Sequence, residues 1–181
     1  KIITIPENVW FIGTANKDES TFEITDKVYD RAQVMNFRSR AEGHKINDVV
    51  EKRFIPYGTI KTLFNKARKD IDFDCSSNPA IKDIDEYLKE HFRVSFGNRI
   101  LDQINKFVPV YVAASFASTP KNDDEKNKFI YEALDYQITN KVLRKLEYVD
   151  MTNDEIAKLE EKFKSYKFKL ALDFIESKKE K

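Results

Sequence analysis

Apolar residues recur at helical spacing over most of the chain, and this pattern constrains the fold more than any other feature. From Thr59 onward, successive segments place apolar side chains three or four residues apart, as on one face of an α-helix. The predicted helices cover about 59–69, 79–92, 99–112 and 124–147, a segment after Thr152, and 168–175. Pro109 should kink the third of these helices or mark a boundary. We therefore expect a mostly α-helical fold.

The first forty residues have a different pattern. Val9 to Ile12 form a continuous apolar run that ends in Gly-Thr-Ala and then Asn16, which is typical of a buried strand in a parallel sheet. A short helix over 26–33 and a second short strand over 34–37 follow, and this order implies a parallel crossover. We expect residues 9–14 and 34–37 to be parallel neighbours in a small α/β part.

Asn16 is the first candidate site residue. Ligands of open α/β sheets bind at the carboxyl ends of the strands, where Asn16 would lie. The alternative is that this asparagine simply starts a turn.

Composition and motifs exclude several function classes. Lys+Arg is 32 and Asp+Glu is 31, so the net charge of +1 gives no attraction to nucleic acid or to an anionic membrane. The single cysteine, Cys75, excludes an internal disulfide and favours a cytoplasmic location. His44 and His91 lie far apart without a cysteine cluster, so we expect no metal site. None of the four glycines belongs to a phosphate-binding loop, and no apolar run is long enough to span a membrane.

Several blocks of the sequence resemble the AAA+ ATPase superfamily, and more narrowly its McrB-like branch, the motor subunits of modification-dependent restriction systems. The resemblance rests on the blocks Ile5–Asn8, Ile12–Thr21, Asp26–Ala32, Ser95–Arg99 and Ala133–Leu143. It implies that residues 1–40 are the last strands of an AAA+ α/β core, 41–78 a connector with a helix, and 79–181 an α-helical lid domain. It also implies that the phosphate-binding loop and the Mg²⁺-binding acidic strand precede Lys1. The missing initiator methionine agrees with a preceding part.

The resemblance assigns roles to three residues. Asn16 would be sensor 1, which hydrogen-bonds the attacking water or the γ-phosphate, and Arg31 would be an arginine finger for the neighbouring subunit. Arg99 would be sensor 2, a nucleotide-binding residue that reports nucleotide to the lid. From the residues alone, Arg31 could instead form a surface ion pair with Asp30, and Arg99 could simply face solvent.

The resemblance further implies an enzyme that hydrolyses ATP or GTP with Mg²⁺ at the subunit interfaces of a ring, expected to be a hexamer. The isolated chain would be inactive and hold no tightly bound cofactor. Its partners would be other copies of itself and an McrC-like nuclease, with DNA handled indirectly and no membrane involved. The alternative is a non-enzymatic helical protein-interaction module.

Overall fold

The structure, a computed structural model, describes residues 4–15, 25–35, 37, 54–115 and 122–179. Its α-helices are α1 (Asp26–Tyr29), α2 (Tyr57–Asp70), α3 (Pro79–Phe92), α4 (Gly97–Ser115), α5 (Asp123–Lys141), α6 (Asn153–Ser165) and α7 (Lys169–Lys179). A 3₁₀-helix spans Leu143–Leu146. The described part is therefore mostly α-helical, as the apolar spacing predicts.

Helices α2 to α7 form one packed body, which we call the helical unit. α4 packs on α5, α5 on α7, α6 on α7, and α2 on α4. A single cluster of buried apolar side chains joins α3, α4, α5, α6 and α7, and among its largest fully buried members are Phe96, Ile104, Leu134, Leu159 and Phe163. Burial of this cluster is the main source of stability.

Local signals in the sequence define where several helices begin and end. Asn78 caps α3 by accepting from the backbone N–H groups of Ala80 and Ile81, and proline takes the first helical position. Thr152 and Glu155 form a capping box at the start of α6. Arg93 ends α3 in the left-handed conformation, with a φ of 56°. These ends are confirmed because each depends on neighbouring residues.

The start of α7 depends instead on a residue far away in the sequence. The carboxylate of Asp135, on α5, accepts hydrogen bonds from the backbone N–H groups of Leu170 at 2.8 Å and Ala171 at 2.9 Å. Asp135 is buried, and Thr139 also donates to it at 3.3 Å. A side chain of α5 thus satisfies the free N–H groups of the first turn of α7.

The two predicted strands are not formed. Residues 9–15 and 33–35 have no regular secondary structure, and the described residues include no strand. Phe11 and Ile12 are 81% and 90% exposed. A strand is stable only when its backbone pairs with a neighbour and its side chains pack on a core, and the described residues provide neither here. The prediction of parallel strands over 9–14 and 34–37 is therefore wrong for this structure.

Three helix boundaries also differ from the prediction. The predicted helix over 26–33 is the single turn α1, and the predicted helix over 124–147 ends at Lys141 before the 3₁₀-helix. α4 continues through Pro109, so this proline does not mark a boundary. The predicted connector over 41–78 is described from residue 54, and its helix α2 packs on α4. Among the described residues, no helix is long and apolar enough to cross a membrane.

Candidate functional site

Residues 29–34, which we call the docked segment, lie against the helical unit and are held there mainly by polar contacts. Three alternate carbonyl oxygens of the segment accept hydrogen bonds from side chains of α4 and α5. The donors are Gln103 Nε2 to Asp30 O at 2.9 Å, Lys141 Nζ to Ala32 O at 2.8 Å, and Tyr136 Oη to Val34 O at 2.5 Å. No described residue of 25–37 belongs to the apolar core. Side-chain donors, rather than buried apolar surface, therefore determine where this segment sits.

Lys141 is the most unusual of these donors because its side chain is only 2% exposed. Burial lowers the pKa of its ammonium group, and the nearby Asp30 carboxylate partly opposes that effect. A buried charged group is costly unless it has a partner. The Ala32 carbonyl is such a partner, so docking of the segment compensates part of the cost of burying Lys141.

The start of the docked segment is attached at two further points. The guanidinium of Arg144 lies 3.6 Å from the centre of the Tyr29 ring and also donates to the Tyr29 hydroxyl. Lys145 Nζ lies 3.4 Å from Asp30 Oδ1, which is close enough for an ion pair although the atoms are not aligned as a hydrogen bond. The acidic group beside Arg31 is thus engaged by the helical unit.

Arg31 is exposed, and its side chain forms no ion pair or hydrogen bond with another described residue. The structure therefore does not contain the surface ion pair between Arg31 and Asp30 that the sequence alone allowed. The backbone around Arg31 is well defined, because its N–H donates to the Val28 carbonyl at 3.0 Å and the carbonyls of Asp30 and Ala32 are both hydrogen-bonded. A guanidinium thus projects into solvent from a backbone that is held on both sides.

Arg99 lies in the first turn of α4 and is also exposed, without an ion pair to another described residue. Gln103 follows it by four residues, so the two side chains lie one turn apart on the same face of α4, about 6 Å between their Cβ atoms. Because Gln103 binds the carbonyl of Asp30, the docked segment meets α4 one helical turn from Arg99. This hydrogen bond therefore joins the segment that carries Arg31 to the helix that carries Arg99.

The third candidate, Asn16, lies outside the described residues, as does His44. His91 is exposed at the end of α3, with its ring 4.3 Å from that of Tyr87. Within the described ranges, no group of three or more His, Cys, Asp or Glu side chains could hold a metal ion. The Cys75 thiol is buried against α4, and burial raises its pKa to about 12, which does not suit a nucleophile.

Sequence reasoning did not identify Gln103, Tyr136 and Lys141 as functional residues. One signal was present: the second half of α5 carries polar residues on every side, although that half packs inside the helical unit. Its buried polar residues are Asp135, Gln137, Thr139, Asn140 and Lys141. The amide atoms of Gln137 have no hydrogen-bond partner in the described structure, whereas the side chains of the other four residues are hydrogen-bonded. Only the folded structure shows that the partner of Lys141 is a segment more than 100 residues earlier.

A concave region lies between α3 and α6, with a volume of about 430 Å³. Its lining includes Tyr87, Lys158 and Lys162. Both lysines are already paired, Lys158 with Asp154 and Lys162 with Asp83. The lining of this cleft therefore has no unpaired lysine that could bind an anion. The docked segment remains the better candidate for a functional site.

Comparison with known proteins gives one match. The model of a family described as "Domain of unknown function (DUF8727)" matches residues 50–181. The match includes Gln103, Tyr136, Lys141 and Arg99, whereas the docked segment precedes it. No curated protein and no solved structure matches the chain. Since the family model covers well over half of the sequence, the chain belongs to the DUF8727 family.

Proposed function

We propose that this chain is the C-terminal part of an AAA+ NTPase of the McrB-like type. In this proposal residues 1–40 end the α/β core and residues 79–181 form the helical lid. The observation that carries the proposal is the presentation of Arg31, which lies in the Asp-Arg-Ala block of the resemblance. Its guanidinium is exposed, has no acidic partner among the described residues, and extends from a backbone held on both sides.

The chemistry of phosphoryl transfer explains why this presentation matters. The reaction needs an oriented water molecule and positive charge near the transferred phosphoryl group. An arginine stays charged at every relevant pH and binds phosphate oxygens in a bidentate manner. Arg31 would supply this charge to the neighbouring subunit of a ring, proposed to be a hexamer. Arg99, at the start of α4, would contact the nucleotide bound to its own subunit, and Asn16 would orient the water.

The rest of the nucleotide site would come from residues before Lys1. The phosphate-binding loop and an acidic strand would hold ATP or GTP and Mg²⁺ there. Core strands from that part would pair with residues 9–14 and 34–37, so these segments would become strands in the larger protein. Such pairing would cover Trp10, Phe11 and Ile12, which are mostly exposed in the structure. The ring would drive an McrC-like nuclease that acts on DNA in the cytoplasm.

The first test is the coding sequence upstream of Lys1. It should contain a phosphate-binding loop followed by an acidic strand. Without these motifs the motor proposal is abandoned.

The second test is a mixing experiment with the protein that contains both parts. Arg31→Ala should abolish hydrolysis and leave nucleotide binding nearly intact. A second variant, with an inactivated phosphate-binding loop, should also abolish hydrolysis. Because the finger acts on the neighbouring subunit, rings that mix the two inactive variants should recover activity at interfaces with one intact loop and one intact Arg31. No recovery on mixing would contradict a role in trans, and full turnover by Arg31→Ala would contradict any catalytic role.

A non-enzymatic interaction module is the second candidate, and exposed apolar side chains on and before α2 favour it. Phe54 is 90% exposed, Leu63 58% and Phe64 39%, although α2 packs on α4. In that case Leu63→Ser should abolish binding to the partner protein without changing the thermal stability of the chain. Arg31→Ala should then leave partner binding intact, which distinguishes this function from the motor.

A further inference from the structure

We propose that Gln103 and Lys141 are positioning residues that hold Arg31 in place for its work on the neighbouring subunit. This inference rests on the proposed function, because it concerns the same guanidinium. It adds that the placement of Arg31 is controlled by the helical unit rather than by the local sequence.

The first step of the argument is the position of the two contacts. Gln103 Nε2 binds the carbonyl of Asp30 at 2.9 Å, and Lys141 Nζ binds the carbonyl of Ala32 at 2.8 Å. These carbonyls belong to the residues directly before and after Arg31. With both neighbours held, the backbone of Arg31 has little freedom, whereas its side chain remains exposed.

The second step is that buried apolar surface contributes little to holding this part of the chain. α1 has only four residues, Val28 is 51% exposed, and Met35 is 69% exposed. A single turn with an exposed apolar side chain is not stable on its own. The polar contacts to α4, α5 and the 3₁₀-helix must therefore supply the order.

The third step is that the two donors come from different helices which pack on each other. Gln103 lies on α4 and Lys141 at the end of α5. Arg99, the proposed sensor, precedes Gln103 by one turn on the same face of α4. A movement of α4 relative to α5 would therefore change the hold on Arg31. In this way the nucleotide contact of one subunit is linked to the finger that it offers to the next.

The test begins with amide hydrogen exchange on the present chain. The N–H groups of Arg31 and Ala32 donate to the Val28 carbonyl at 3.0 and 2.9 Å, and their exchange rates report the order of this turn. Loss of the charged donor in Lys141→Met should accelerate both by about 10- to 100-fold. Loss of the neutral donor in Gln103→Leu should accelerate them by about 3- to 10-fold.

A matched control separates positioning from general damage. Gln137 is a fully buried amide on α5 whose polar atoms have no partner in the described structure. Gln137→Leu should therefore leave exchange at Arg31 and Ala32 unchanged. Lys141→Met replaces a buried charge with an apolar side chain of similar length, so the melting temperature of the helical unit should stay the same or rise.

The same variants in the longer NTPase complete the test. Lys141→Met and Gln103→Leu should lower kcat and leave nucleotide affinity unchanged, and neither should lower any residual rate further when Arg31 is already alanine. Unchanged exchange at Arg31 and Ala32 would overturn the proposal, and so would faster exchange with unchanged kcat. If the wild-type longer protein hydrolyses no nucleotide, the proposed function fails and the catalytic part of this inference fails with it. The exchange data would still show separately whether Gln103 and Lys141 order the turn.

Discussion

Replacement of Asp135 by alanine tests how the helical unit is held together. The carboxylate binds two backbone N–H groups, those of Leu170 at 2.8 Å and Ala171 at 2.9 Å, at the start of α7. Ala171 is fully buried, so water cannot replace the lost acceptor without rearrangement. An unsatisfied buried donor costs about 1–3 kcal/mol, and Leu170 is only partly buried. We expect Asp135→Ala to lower the free energy of unfolding by about 2–4 kcal/mol.

Urea denaturation followed by far-ultraviolet circular dichroism would measure this loss, and amide exchange would locate it. The amides of α7 should lose protection first, because this helix loses its cap while α5 keeps its own hydrogen bonds. Asp72→Ala is a suitable control, since Asp72 is exposed and should cost less than about 0.5 kcal/mol. A loss below about 1 kcal/mol for Asp135→Ala, or protection in α7 equal to that of the wild type, would refute the capping role.

The pH dependence of Asp135 gives a second reading of the same site. Burial raises its pKa above the ordinary 3.8, and the bonds from Leu170 and Ala171 oppose this shift without cancelling it. The folded protein therefore holds this proton more tightly than the unfolded chain does. The resulting stabilisation is complete below the ordinary pKa and is lost as pH rises through the raised value. The stability of the wild type relative to Asp135→Asn should therefore fall as the pH rises above the ordinary pKa of 3.8. A rise in relative stability as the pH increases would contradict a raised pKa.

Three further predictions concern single residues. The Cys75 thiol, 2% exposed and with a pKa raised to about 12, should react with a disulfide reagent at pH 8 only after denaturation, and rapid labelling of the native protein would contradict its burial. Asn78→Ala removes the acceptor for Ala80 and Ile81 and should cost about 1 kcal/mol in urea unfolding, whereas an unchanged midpoint would argue against the cap. Trp10, the only tryptophan and 63% exposed, should show the red-shifted emission of a solvated indole and strong quenching by iodide, whereas blue-shifted emission would show that another surface covers it.

The candidate site was predictable only in part. The resemblance selects Arg31 and Arg99, and one hydrogen bond joins the segment that carries Arg31 to the helix that carries Arg99, although the roles of both residues stay predictions. Sequence reasoning gave no reason to choose Gln103 or Lys141, because a glutamine or lysine on a helix is most often solvated. Lys141 is buried at the end of α5, where its ammonium group donates to the carbonyl of Ala32.

The sequence by itself determined the features that depend on near neighbours. The Asn78 cap, the capping box of Thr152 and Glu155, and the apolar periodicity of α3 and α6 act within a few residues of the chain, so they can be read directly. Only the tertiary structure decided the features that need a distant partner. Residues 9–15 have the composition of a strand, but the part of the chain that the structure describes gives them no neighbouring strand, and the first turn of α7 is capped from α5. The physical reason is the same in both cases: backbone N–H and C=O groups must be paired, and the sequence around them does not show where the partner lies.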